Sequence, residues 1–141
     1  DAMAELKNAG RYLARLDKRS GAFDTFYYWF FSPQPAAVHA RARCDVPFHL
    51  ATRLKGKERA VANRLVAEAL TEERGFAYFY INAARAMENR EAVPALRLLL
   101  EDSGRPLPIG ERKACLETLF VLTRDYRYWI QSKLARPRAW L

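Results

Sequence analysis

Apolar residues recur at spacings of three and four along most of this chain, which is the pattern of helices with one buried face. The first such segment runs from Ala2 to about Lys18. Its apolar side chains share one face of a helix: Met3, Leu6, Leu13 and Leu16. The sequence therefore predicts an amphipathic N-terminal helix.

Six consecutive aromatic residues, Phe26 to Phe31, follow this segment. Asp24 is placed to cap a helix, with Phe23 before it able to pack on the first turn, and Pro33 stops the helix from continuing. Consecutive residues of a helix point in all directions, so the six rings cannot form one face. We therefore predict a short helix of about two turns that is buried on most sides and stabilised by its neighbours.

Further helices are predicted from periodicity and from helix-ending residues. Residues 76–88 keep the helical rhythm and do not alternate as a strand would. Residues 91–102 are apolar nearly all round, which predicts a central, buried helix. The complete series comprises Pro35–Arg43, a helix opened by Pro47 that ends near Gly56, Lys57–Glu73, residues 76–88, Glu91–Asp102, and Glu111 to about Ala135.

The last of these segments is either one long helix or two helices broken near residues 123–125. Read as one helix, it carries a single apolar side, made of Cys115, Leu116, Leu119, Leu122, Tyr126, Trp129 and Ile130. Both alternatives are compatible with the sequence.

These segments predict an all-α fold, a compact single-domain bundle of about seven to nine short and medium helices. Aromatic and basic helices in residues 1–56 are expected to pack on a helical core formed by residues 57–135, with a basic tail at 136–141. EAVPALRLLLED followed by ERKACLETL resembles the second helix of one HEAT-type hairpin and the first helix of the next. This resemblance implies HEAT-like hairpins in the C-terminal half, and we assign no family on it.

Composition narrows the class of protein. Half of the 141 residues are hydrophobic and 28% are charged, which is typical of a folded domain. The net charge is +8, from 24 Lys+Arg and 16 Asp+Glu, and such an excess attracts polyanions. Two distant cysteines, Cys44 and Cys115, favour reduced thiols and a cytoplasmic protein. No stretch has the length of a transmembrane segment. A homo-oligomer and membership of a longer chain both stay open.

Catalytic motifs are missing from the sequence. It contains no phosphate-binding glycine loop, no HExxH, no CxxC and no GxSxG. His39, Cys44 and His49 are evenly spaced, but their gaps match no usual zinc pattern. We therefore predict no cofactor, no metal and no catalytic residues, and we disfavour an enzyme.

Two basic clusters are the strongest functional signal. The first has its tightest part around Gly56, where phosphate would meet side chains and a helix N-terminus together. The second has the outline of a helix-turn-helix module whose third helix offers polar side chains to a groove. The predicted nucleic-acid-binding residues are Arg41, Arg43, Arg53, Lys55, Lys57 and Arg59 in the first basic cluster, and Arg124, Arg127, Tyr128, Gln131, Lys133, Arg136 and Arg138 in the second.

Three functions follow from these observations. The favoured one is a non-enzymatic module that contacts nucleic acid through phosphates. The alternative is a protein–protein adaptor or regulatory domain with exposed aromatic anchors, which a contiguous apolar patch outside the core would favour. The least favoured is an enzyme or small-ligand pocket lined by the aromatic residues of 23–31 and 76–80.

Overall fold

The computed structural model describes residues 21–46, 48–102 and 104–135. The helix predicted for Ala2 to Lys18 and the basic tail lie outside these ranges. Within them the chain is all-α, with eight α-helices and no strand, which confirms the predicted fold class. The helices are α1 (Ala22–Phe31), α2 (Pro35–Arg43), α3 (His49–Thr52), α4 (Gly56–Glu72), α5 (Ala77–Ala86), α6 (Val93–Glu101), α7 (Ile109–Thr123) and α8 (Tyr126–Leu134).

Single 3₁₀ turns precede two of these helices, at Arg74–Phe76 before α5 and at Arg90–Ala92 before α6. No helix in the described ranges is long and apolar enough to cross a bilayer. The HEAT-like arrangement of the C-terminal half stays a prediction.

Helix α1 begins differently from the sequence prediction. Its N-cap is Gly21, at φ 59°, and no side chain caps the first turn. Asp24 lies exposed inside that turn, so its prediction as the N-cap is wrong, although a carboxylate there still favours the helix dipole. Glycine adopts a positive φ without the steric penalty of a Cβ, and the helix starts three residues earlier than an Asp24 cap predicts. Its end is as predicted, because α1 stops at Phe31, before Pro33.

The aromatic residues of α1 form the centre of the core. Phe26 and Phe30 are fully buried, and Phe31 is 4% exposed. The Phe30 ring lies 5.2 Å from that of Phe79 on α5, and Phe31 stacks on Tyr80 at 5.8 Å. The Tyr80 hydroxyl donates a hydrogen bond of 2.7 Å to the Phe30 carbonyl. Burial raises the pKa of Tyr80, so the phenol stays protonated and keeps donating. The predicted burial of this segment is confirmed.

Arg41 holds α2 against the end of α1. Its side chain is buried, and its guanidinium donates to the carbonyl oxygens of Trp29 at 3.1 Å and Ser32 at 2.7 Å. The last carbonyls of a helix have no partner within the helix, and a cation is favourable beside them. The guanidinium also lies 5.2 Å from the ring centroid of Phe76. The Arg41 guanidinium therefore binds the end of α1 and packs against an aromatic ring at the same time.

The remaining helices pack both on their neighbours in sequence and on the helix after next. Helix α5 contacts both α4 and α7, and α6 contacts both α4 and α7. Leu96 and Leu99 of α6 are buried, whereas Leu98 is 58% exposed. The prediction that this helix is buried all round is wrong, because its partners cover one side only.

The C-terminal segment consists of two helices. Arg124 adopts a left-handed conformation, φ 60°, and its N–H donates to the Phe120 carbonyl at 2.7 Å, which ends α7. The Asp125 side chain accepts a hydrogen bond from the Arg127 N–H at 3.0 Å and so caps α8. Of the two alternatives, the structure therefore shows two helices, α7 and α8.

Replacing Arg41 by alanine should lower the free energy of unfolding by about 2 kcal/mol, because two carbonyls at the end of α1 lose their donor in a buried place. Urea denaturation followed by circular dichroism measures the change. Arg43→Ala is the matched control on the same helix, where an exposed side chain should cost less than about 0.5 kcal/mol. Equal losses from both variants would contradict the structural role of Arg41.

Candidate interaction surfaces

The first basic cluster does not form one surface. Arg59 is half-buried, and its guanidinium donates to the Ala51 carbonyl at 2.9 Å and to the Met87 carbonyl. Arg41 is bound in the same way at the end of α1. Both guanidinium groups are committed to main-chain carbonyls at helix ends, so we remove Arg41 and Arg59 from the predicted polyanion surface.

Three cations of this cluster face solvent where α4 begins. Arg53, Lys55 and Lys57 are exposed, and no ion pair binds them within the described ranges. They surround Gly56, whose positive φ of 60° turns the chain into α4. We call these three residues the junction cluster. Arg43, by contrast, pairs with Asp45 at 2.9 Å.

The histidines and cysteines do not form a metal site in the part of the chain that the structure describes. No three side chains of His, Cys, Asp or Glu converge there, so His39, Cys44 and His49 are not brought together as a set of ligands. Burial raises the pKa of Cys44, with a smaller contribution from Asp45, and burial raises the pKa of Cys115 to about 12. Both thiols are therefore protonated near neutral pH and are poor nucleophiles.

The second basic cluster is partly neutralised. Arg127 binds the Asp125 carboxylate with two donors, Nε at 3.1 Å and Nη2 at 2.7 Å. These hydrogen bonds lower the pKa of Asp125 and raise the pKa of Arg127. Arg124 is exposed between α7 and α8. Arg136 and Arg138 lie outside the described residues.

The remaining members of this cluster differ in their surroundings. Tyr128 is half-buried and packs against the core, and its hydroxyl accepts a hydrogen bond of 2.9 Å from Nε of Arg97. Its ring is thus held on the inner side of α8 and not offered to a groove. Gln131 and Lys133 are exposed.

The outer side of α8 is apolar, which the sequence interpretation missed. Tyr126 is 69% exposed, Trp129 43%, Ile130 50% and Leu134 67%. Residues three and four apart share one side of a helix, so these four side chains form a continuous stripe, here called the α8 face. They are four of the six exposed large hydrophobic residues in the described chain. The opposite side is the buried one and contains Ser132.

The break before α8 explains the error. The sequence interpretation continued the buried stripe of α7 into Tyr126, Trp129 and Ile130. Arg124 and Asp125 turn the chain between the two helices, so the phase of the second helix is independent of the first. The Asp125 cap was the local signal for this break.

Within the described residues, the aromatic segments 23–31 and 76–80 contact one another directly. Rings of α1 and α5 pack directly on one another, at 5.2 Å for Phe30–Phe79 and 5.8 Å for Phe31–Tyr80. A surface cavity of about 420 Å³ lies elsewhere, and it is lined by Asn63, Arg90, Glu91 and other residues around Arg124. Its polar groups carry both signs of charge and indicate no single ligand.

No protein-family model matches this chain, and comparisons with curated proteins and with solved structures find no significant match. Function is therefore argued from the geometry of its own surfaces.

Replacing Arg59 by alanine should lower the free energy of unfolding by about 2 kcal/mol, since the carbonyls of Ala51 and Met87 lose a shared donor. Lys57→Ala, two residues away on the same helix, should change it by less than about 0.5 kcal/mol. Urea denaturation of both variants separates a structural arginine from a surface lysine. If Arg59→Ala leaves the free energy of unfolding unchanged, Arg59 would belong again to the predicted polyanion surface.

Proposed function

We propose that this chain is a non-enzymatic helical module that binds another protein through the α8 face. The observation that carries the proposal is the exposure of four large apolar side chains, 43–69%, on one side of one helix. Contiguous apolar surface of this kind is uncommon on monomeric proteins and marks interaction sites. Tyr and Trp are also the residue types most often found as energetic anchors of interfaces.

The surroundings of α8 favour a protein over a nucleic acid as the partner of this helix. A helix that reads a groove presents Arg, Lys or Gln to it, whereas α8 exposes four large apolar side chains as well as its polar ones. Arg127 is already paired with Asp125, and the Tyr128 hydroxyl is bound by Arg97. The exposed Lys133 follows Trp129 by four residues and Ile130 by three, so it lies on the α8 face itself, among the apolar side chains.

Changing Ile130 and Leu134 together to glutamate should weaken partner binding. The probe is a display library of random peptides of about 18 residues, selected on the immobilised full chain. Selected peptides should bind the double variant about tenfold more weakly or worse, because two carboxylates would be desolvated in an apolar contact. Fluorescence anisotropy measures each affinity, and circular dichroism checks that the variant is folded.

The matched control changes the other two exposed hydrophobic residues, Tyr78→Glu with Leu98→Glu. Peptides selected on the unmodified chain should keep their affinity for this variant. If selected peptides bind the α8 variant as tightly as the unmodified chain but no longer bind the control variant, the binding site is not on α8. Light scattering on the same proteins tests self-association as the alternative use of the face.

The junction cluster supports a second candidate function, binding of nucleic acid through phosphates. Three exposed cations without ion pairs in the described ranges, on a chain of net charge +8, suit contacts that ignore sequence. If these contacts form, Arg53→Gln, Lys55→Gln and Lys57→Gln together should reduce the slope of log affinity against log salt by about 2 to 3. Titration of labelled single-stranded DNA, duplex DNA and RNA measures it.

The control for this experiment neutralises three exposed cations elsewhere, Arg64, Arg112 and Lys113, and keeps the same net charge change. If both triple variants change the salt slope equally, binding depends on the overall charge of the chain and not on the junction cluster. No binding at low salt by the unmodified chain would end this second candidate.

A further inference from the structure

The charges carried by helix α8 itself are positive. Helix α8 has the sequence YRYWIQSKL, which contains two cations and no acidic residue. The Lys133 ammonium lies 5.5 Å from the ring centroid of Trp129, so it sits beside one of the apolar anchors. Arg124 is exposed just before the helix, at the rim of the cavity that Glu88, Arg90 and Glu91 also line. The nearest carboxylate in sequence, Asp125, already caps α8 and binds Arg127.

The shape of the α8 face fits a helix. Its four side chains form a ridge along the nine residues of α8, a length of about 13 Å. Ridges of this kind pack into the grooves between side chains of another helix. A partner helix of about three turns, with apolar residues at spacings of three and four, would cover the whole ridge.

Charge argues against two other occupants. A second copy of this chain would bring its own Arg124 and Lys133 towards the same cations. Residues 1–20 contain five Lys or Arg and three Asp or Glu, which makes that segment basic as well. Like charges across an interface oppose association, and opposite charges favour it and speed the encounter.

From this complementarity we infer that the occupant of the α8 face is an acidic amphipathic helix of another protein. Its apolar side packs on Tyr126, Trp129, Ile130 and Leu134, and its flanking Asp or Glu residues meet Lys133 and Arg124. This inference rests on the proposed function and adds the chemistry of the partner to it.

Two synthetic 18-residue helical peptides of identical apolar side, one flanked by glutamate and the other by lysine, test the inference. The full chain should bind the glutamate peptide about tenfold or more tightly than the lysine peptide at 50 mM salt. At 500 mM salt the ratio should fall towards one, because salt screens exposed charges and leaves apolar contacts intact. Fluorescence anisotropy of the labelled peptides measures both ratios.

Charge variants test whether the preference between the two peptides arises at α8. Lys133→Glu with Arg124→Glu should reverse the preference between the two peptides, and Ile130→Glu should weaken both. Arg64→Glu with Arg112→Glu is the control, since it makes the same charge change at exposed positions on α4 and α7. It should preserve the preference of the unmodified chain.

The outcomes separate this inference from the proposed function. If the chain binds both peptides equally and Ile130→Glu abolishes this binding, the partner is not selected for acidic residues. The α8 face would then still be a docking surface. Binding of neither peptide by the unmodified chain would also overturn the inference of an acidic partner, while the display library decides the proposed function independently. A preference that persists in Lys133→Glu with Arg124→Glu would overturn it too. So would a dimer that Ile130→Glu dissociates, because the occupant would then be a second copy.

Discussion

The packing of α1 on α5 is the contact on which the rest of the structure depends. Phe30 and Phe31 meet Phe79 and Tyr80, and the Tyr80 hydroxyl binds the main chain of α1 inside the same contact. A helix of ten residues is marginal alone in water, so it is the burial of its rings that stabilises it. Because α5 also contacts α4 and α7, the aromatic contact connects the N-terminal helices to the larger part of the bundle.

Arginine has two separate roles in this protein. Arg41 and Arg59 each donate hydrogen bonds to two main-chain carbonyls at helix ends. A planar group with several donors can bind two carbonyls at once, which an ammonium does less well. The net charge of +8 therefore overstates the charge that is offered to a partner. Exposed cations remain in the junction cluster and beside the α8 face, and these are the ones available for recognition.

The α8 face changes the balance between the functional hypotheses. Helix α8 is held by its inner side, where Tyr128 packs on the core, and by the Tyr126 ring, which lies 5.2 Å from that of Phe120 on α7. The four side chains of the α8 face nevertheless stay 43–69% exposed. The proposal of a protein partner rests on these four exposed apolar residues of one helix. Charge alone favoured a polyanion, whereas the arrangement of apolar and basic residues together favours a protein with an acidic helix.

Local chemistry in the sequence determined the all-α class, most helix boundaries and the burial of the aromatic run, because periodicity, proline and glycine act within a few residues. It did not determine which side of α8 is covered, since Arg124 and Asp125 reset the helical phase and only the packing on α7 selects the inner side. Nor did the sequence show that Arg41 and Arg59 bind main-chain carbonyls whereas Lys55 and Lys57 stay exposed. That distinction depends on carbonyls 8 to 28 residues away in the chain, which tertiary folding brings within hydrogen-bonding distance.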